Sequence, residues 1–355
     1  MEWTSKGGRL YTNNHIFNLK GVSWFGFETS NNVFHGLWAQ DYRFFLDFIG
    51  NNSFNAIRVP FYLELMLNDA TPNSINFYQM NQDLQGLSSL QVLDKIIEAA
   101  ASRGLLIMLD MHSFKAGTFM QDGLWYDSSH PESVVLSTWE KVVSRYANQW
   151  NVFAFDLKNE PWATTWNTGD LTKDWDQAAA RIGNHIHSLP GGDRFLIFVE
   201  GDNNSPACAD ACFWGENLIG VHNAPVKLNK MEKLVYSPHC YGPAVASQKY
   251  FNDPTFPYNM PAIWDTHYGF VPKETGNAIV IGEWGGPVEG QNGVWMNAFV
   301  DYLISKNTTD TFYWCLNPDS GDTGGILGYD WKTPDPAKLA LLKKLVPVPT
   351  IILPN

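Results

Sequence analysis

Eight short apolar runs punctuate the chain, at 17–24, 54–60, 105–111, 152–157, 195–199, 234–239, 278–282 and 311–316. Each is rich in Val, Ile, Leu, Phe and Tyr, and turn residues bound most of them, as in strands buried on both faces. Amphipathic stretches fall between many of them. In 87–101, Leu93, Ile96, Ile97 and Ala100 recur at i, i+3, i+4 and i+7, a helical stripe that Gly104 stops. Comparable helical patterns cover 37–49, 131–146, 172–189, 294–304 and 336–345, with Pro131 suited to a first turn. This strand–helix alternation predicts an α/β fold whose parallel strands close into a (β/α)8 TIM barrel. A doubly wound sheet is the rival, but it would carry a Gly-rich turn after its first strand, and none is there. No helix is visible after strands 5 and 6. The segments 201–232 and 242–277 read as long strand-to-helix loops, rich in Asn, Pro and Trp. Loops of that length in a compact domain are usually functional.

Composition narrows the picture. The 355 residues exceed an ordinary domain, yet a barrel reaches this length as one unit, so a single domain over 1–355 is expected, with 346–355 as a tail. Lys and Arg number 24 against 36 Asp and Glu, a formal charge of −12. That argues against nucleic acid or an anionic membrane as partner, since both need a basic surface. No apolar run approaches a membrane span. The first ten residues lack the apolar core of a signal peptide, so the chain reads as cytoplasmic or as a mature secreted form. A bridge between Cys208 and Cys212 would suit secretion, though sequence does not fix connectivity and the four cysteines make no zinc pattern. A secreted monomer is the expectation. The 15 tryptophans are many for a chain that needs them only as core, which directs attention to aromatic platforms.

The chemistry lies at strand ends. The run 152–157 finishes in Asn159-Glu160-Pro161, where proline cannot extend the ladder. An amide and a carboxylate therefore stand together at the C-terminal end of a buried strand, where an ordinary core would not place a charge. Gly282-Glu283-Trp284 repeats the form, followed by two more glycines. Arg58, His112, Glu200, His239, Tyr241 and Trp314 occupy other strand ends, and in a barrel all of these share one pocket. A lone strand-end Glu is often a cap or an ion-pair partner. Two in matched contexts point to paired-carboxylate chemistry, which is that of glycoside hydrolysis. Arg58 beside Glu283 would keep it charged, His239 and Tyr241 would orient the pair, and Glu200 would brace the site. Asn159 would reach a sugar 2-hydroxyl, and Trp314 offers a flat platform. Trp38 and Trp214 are further substrate candidates, and Trp24, Trp162, Trp166 and Trp284 would extend the platform along a cleft. Trp139, Trp150 and Trp175 fit packed helix faces. The loop 319–324 lacks the spaced acidic ligands of a calcium site and reads as a tight loop beside Trp314.

With these residues in place, the sequence resembles glycoside hydrolase family 5, the cellulase family. The resemblance rests on Asn159-Glu160-Pro161, Gly282-Glu283-Trp284, Arg58, His112 and His239-x-Tyr241. Its bacterial-type endo-β-1,4-glucanases are further matched by the stretches at 24–29, 36–38, 198–201, 253–257 and 317–327. The resemblance runs in family order from about residue 10 to 345. It implies a barrel, a retaining mechanism with no metal or cofactor, Glu160 as acid/base and Glu283 as nucleophile. Lys158 and Cys240 depart from the family pattern without removing a catalytic group. The expected activity is retaining hydrolysis of internal bonds in cellulose or related β-glucan polysaccharides and oligosaccharides. A β-mannanase or other β-glycanase on the same barrel is the enzyme alternative. A non-catalytic carbohydrate-binding barrel is the third, and would be expected to lack one of the two glutamates.

Overall fold

The structure, a computed structural model, describes residues 1–203, 208 and 212–350. It begins with a small antiparallel sheet of β1 (Trp3–Lys6), β2 (Arg9–Thr12) and β3 (His15–Phe17). The barrel then alternates with helices: β4 (Lys20–Ser23), α1 (Tyr42–Asn51), β5 (Ala56–Tyr62), α2 (Leu63–Asn68), α3 (Ser89–Ala101), β6 (Leu106–Ser113), α4 (Glu132–Tyr146), β7 (Val152–Asp156), α5 (Trp175–Ser188), β8 (Leu196–Val199) and β9 (Leu234–Tyr236). There follow α6 (Met260–Trp264), α7 (Val271–Thr275), β10 (Ala278–Ile279), β11 (Ile281–Trp284), α8 (Gly290–Lys306), β12 (Thr311–Tyr313) and α9 (Pro336–Leu342). Among the described residues no helix is long and apolar enough to cross a membrane.

The larger sheet runs β10-β9-β8-β7-β6-β5-β4-β12-β11, every pair parallel. Its two ends, β10 and β11, are halves of one segment interrupted at Val280. The order therefore closes into a ring of eight strands, the predicted (β/α)8 barrel. All eight apolar runs fall on the ring. The first is divided, however: Phe17 ends β3, and the barrel starts only at Lys20.

Local chemistry sets the helix boundaries. Ser88 and Gln91 form a capping box that starts α3, and Asp41 caps α1 by accepting from the Arg43 N–H. The α1 start thus lies later than the 37–49 pattern suggested, because 37–40 is spent in turns. The segment 242–277 is not a plain loop. It carries α6, a π-helical turn over Asp265–Gly269, and α7, which together take the place of the helix after β9. After β8 a 3-10 turn at Ile219–His222 stands where a helix would. At the other end of the chain, the Val348 N–H donates to Asn18 O and Asn55 donates to Val348 O, so the segment after α9 returns to the barrel floor.

Two apolar layers hold the ring. One fills the space between strands and helices. The other fills the lower barrel interior with Leu106, Met108, Leu196, Phe198, Val235, Val280 and Phe312, and Trp3, Leu10 and Phe17 of the small sheet close it from below. Ala278 N–H donates to Ser5 Oγ and Lys233 Nζ to Trp3 O, which fastens that floor to the ring.

Candidate active site

At the opposite, C-terminal end of the strands lies a cavity of about 510 Å³. Asn159, Glu160, Glu283, His112, Tyr241 and Trp314 line it, with Trp214 on one wall. Arg58 and His239 sit beneath, fully buried. The strand-end residues marked in the sequence are therefore brought together. Trp38 packs against His35 and Trp331, at ring separations of 5.3 and 4.9 Å, and does not line the cavity. His35 in turn touches Thr29, which does, so Trp38 stands one residue behind the rim.

Arg58 on β5 is the hub. Its Nη2 lies 3.1 Å from both Asp110 and Asp156, 3.5 Å from Glu200, and donates to Asn159 Oδ1 at 3.0 Å. Its Nη1 donates to Glu283 Oε1. Glu283 also accepts from the Tyr241 hydroxyl at 2.6 Å. Burial works against an ionised Glu283, but the charges of His239 and Arg58 overcome it and hold this carboxyl below its ordinary range.

Glu160 sits in a different setting. Its φ is +43°, a conformation that strains a non-glycine residue by on the order of 1–3 kcal/mol. The Glu160 N–H is pinned to Glu200 Oε2 at 2.8 Å, and Asn159 N–H to Met111 O. The strand itself has already ended at Asp156, and the Glu160 side chain lines the cavity. It meets His239 Nδ1 at 3.0 Å, while His239 Nε2 lies 3.1 Å from Glu200. Burial first, and the negative charges of Glu283 and Glu200 next, push the Glu160 carboxyl up to about 7 against the pull of His239. Two glutamates facing one space thus have opposite protonation preferences, the arrangement that divides acid from nucleophile.

One oxygen of Glu160, one of Glu283 and a ring nitrogen of His239 lie within 4.8 Å of one another, as do ligand atoms of Asp156, Glu200 and His239. Such a donor set would suit a cation, and the cations these carboxylates already face are Arg58, beside Asp156, Glu200 and Glu283, and His239, beside Glu160. Burial raises Asp110 and Asp156 to about 7 and Glu200 to about 8, while these three acids and Glu283 push Arg58 well up. His112 donates or accepts through Nδ1 with Asp110 at 2.7 Å, and burial with the Arg58 charge holds it well below its usual range, as the neutral ring.

The platform residues divide. Trp314 lies nearly parallel to Phe25 and His112, with interplanar angles of 9° and 10°, and its Nε1 donates to Ser320 of the 319–324 loop. Trp214 stacks on Trp162, which backs it at 5.5 Å. Trp24, Trp166 and Trp284 are core residues, contrary to the expectation that they extend the cleft. Trp24 stacks on Phe34 at 4.0 Å, Trp166 donates to Ala224 O, and Trp284 packs on Tyr313 and Phe299. The reason for Trp284 is strand alternation: Glu283 faces the site, so its neighbour faces the helices. Cys208 and Cys212 form a disulfide just before Phe213 and Trp214, while Cys240 and Cys315 are buried thiols. Asp110, Asp156, Glu28, Phe25 and Phe119 were not singled out from the sequence. A two-residue step back from His112 along β6 would have found Asp110, since the two share a strand face.

The model of one protein family, described as cellulase (glycosyl hydrolase family 5), matches residues 16–320. The chain belongs to glycosyl hydrolase family 5. An endoglucanase of Paenibacillus polymyxa is 42% identical over 333 residues, 92% of this chain and 82% of that protein. The major extracellular endoglucanase of Xanthomonas campestris pv. campestris is 41% identical over 93% of this chain and 68% of its own length. A Pyrococcus horikoshii endocellulase solved in complex with cellotetraose superposes with a TM-score of 0.92 at 39% identity, covering 97% of this chain and 98% of that one.

Proposed function

We propose that this protein is a retaining endo-β-1,4-glucanase that cleaves internal bonds of β-glucan chains by double displacement. One observation carries the mechanism: Glu160 and Glu283 approach to within 4.8 Å, with opposed environments. That bound is compatible with the about 5–5.5 Å of retaining enzymes and falls short of the about 6.5–9.5 Å that inversion needs for a water between the carboxyls.

In the first step a Glu283 oxygen attacks the anomeric carbon. The glycosidic C–O bond breaks, and the Glu160 proton passes to the leaving oxygen. Tyr241 and Arg58 hold Glu283 in place for the attack, and Asn159 reaches the sugar at its 2-hydroxyl. Esterification removes the Glu283 charge, one of the influences that kept Glu160 protonated, so Glu160 becomes the stronger acid and rests as carboxylate. In the second step it takes a proton from water, the water oxygen bonds to the anomeric carbon, and Glu283 departs. The sugar leaves with its configuration retained.

The β-glucan substrate is supported by the names of the similar endoglucanases and by the cellotetraose bound to the endocellulase relative. An extracellular location is supported by the Cys208–Cys212 disulfide and by the extracellular Xanthomonas relative. The test is hydrolysis of soluble β-1,4-glucan and of β-mannan by the purified protein beside Glu283→Ala. Rapid loss of glucan viscosity, abolished in the variant, is expected. Cleavage of mannan alone would overturn the substrate assignment, and wild-type activity in Glu283→Ala would overturn the site.

A further inference from the structure

Glu28 lines the active-site cavity and has no part in the chemistry above. It follows β4, is 6% exposed, and is held rather than loose. The Gly26 N–H donates to its Oε2 at 2.8 Å, and its backbone carbonyl accepts from the Gly117 N–H at 2.8 Å. The turn that aims it requires glycine at 26. There φ is +143°, and a Cβ would fall 2.3 Å from Val33 O and 2.4 Å from His35 N. Burial lifts the Glu28 carboxyl to about 7 against the Gly26 N–H, its own N–H and His35, with Asp110 adding to the rise. A carboxylate so placed needs hydrogen-bond donors, and sugar hydroxyls are the donors this cavity receives.

The ring order tells which half of the cleft it serves. Glu160 follows β7, whose neighbour β8 leads into the wall with Trp214. Glu283 ends β11, whose neighbours are β12, leading to Trp314, and then β4, leading to Phe25 and Glu28. The acid faces the leaving oxygen and the nucleophile faces the anomeric carbon. The departing sugars therefore lie toward Trp214, and the sugars that become bound to Glu283 lie toward Trp314. We propose that Glu28 is a specificity-determining residue of this second half, accepting a hydrogen bond from a hydroxyl of a sugar bound on the Trp314 side of the scissile bond. The inference rests on the assignment of Glu160 and Glu283 above.

The test pairs a protein change with a substrate change. Glu28→Gln keeps an oxygen for Gly26 while replacing the second acceptor by an amide donor. Wild type and Glu28→Gln are compared on 4-nitrophenyl β-cellobioside, in which both sugars lie on the Trp314 side, and on its monodeoxy versions. Above pH 7, where Glu28 is ionised, removing the recognised hydroxyl in wild type lowers kcat/KM by about 10- to 100-fold, the size of a hydrogen bond to a charged group. Glu28→Gln loses a similar factor on the parent substrate, and removing that same hydroxyl then costs it less than about 3-fold more. A merely structural role would lower all substrates alike, with losses that multiply. Multiplying losses at every hydroxyl, or wild-type kcat/KM for Glu28→Gln on the parent, overturns the proposal. If Glu28→Gln does not fold, Glu28→Asp, which withdraws the carboxylate by one methylene, must show the same non-multiplying pair. Failure of the underlying assignment has its own signature: Glu283→Ala would hydrolyse the parent glycoside at the wild-type rate.

Discussion

Along β6 the inward positions run Leu106, Met108, Asp110 and His112, and along β7 and the residues after it Ala154, Asp156 and Lys158. Both strands begin in an apolar floor and end in a charged layer, and both parts are equally shut off from water. The lower half is an ordinary packed barrel interior, closed by Trp3, Leu10 and Phe17. The upper half buries Arg58, Asp110, Asp156 and Glu200 around one guanidinium. Such buried charge clusters seldom add net stability over a well-packed apolar core of the same volume. The difference between the halves shows which part of the ring is shaped by folding alone and which by the protonation states of Glu160 and Glu283.

The largest effect should come from the centre of the charged layer. Arg58→Met leaves Asp110, Asp156 and Glu283 without their common cation. It is expected to cost about 3–5 kcal/mol of stability in urea unfolding and to abolish measurable glucan hydrolysis, since Glu283 then loses the donor that positions it and one of the two main charges that favour its ionised form. Retained activity would break the comparison at its hinge.

Next is the acid itself. Glu160→Gln should lower kcat on glucan by about 10²–10⁴-fold. The pH profile should follow. Glu160 must be protonated, so wild-type kcat/KM falls as pH rises through about 7. Glu283 must be ionised, so kcat/KM also falls as pH drops through its depressed value. In the variant the alkaline fall tied to Glu160 should disappear, most visibly with a substrate whose leaving group needs no proton.

The lower half should behave in the opposite way. Phe198→Ala opens a cavity in the floor and should cost about 3–5 kcal/mol in unfolding, while kcat at temperatures well below the transition stays within about 2-fold, since nothing in that layer touches the cavity above. A large fall in kcat would mean that the two layers are not separable.

The smallest effect concerns Asp310 at the floor, which accepts from the Leu19 N–H at 2.6 Å. Burial raises its carboxyl to about 7, against that hydrogen bond and Arg9. Its folded value lies above its unfolded one, so its stabilising contribution is complete below about pH 4 and is lost as pH rises through 7. Asp310→Asn should flatten that part of the pH dependence of the thermal midpoint between pH 4 and 7 and leave hydrolysis unchanged.

The barrel and its pair of strand-end glutamates were legible because both are written in short sequence. Apolar runs mark strands buried on both faces, and Gly285 marks where one of them stops, whereas β7 ends at Asp156, well before Pro161. The charged layer was harder to see. Asp110 and Asp156 sit inside runs that look uniformly apolar, and only the two-residue period separates them from their outward neighbours. The tryptophans show the limit of residue type. Trp314 and Trp214 line the cavity and Trp284 does not, and strand alternation decides that last case rather than hydrophobicity. The helical piece 260–275 escaped notice because Pro261, Gly269 and Pro272 break it into segments too short to show a stripe. The β1–β3 sheet escaped because its strands are only three or four residues long. Glu28 carries no strand-end signature, and only the fold places it in the cavity.

The most direct test of the opposed environments is to trap the covalent intermediate. The protein is incubated with an activated 2-deoxy-2-fluoro-β-cellobioside, which forms the glycosyl-enzyme faster than water releases it, and the labelled peptide is identified by mass spectrometry. The account predicts one label, on Glu283. A label on Glu160, or burst-free turnover with no label and inverted product, would contradict it.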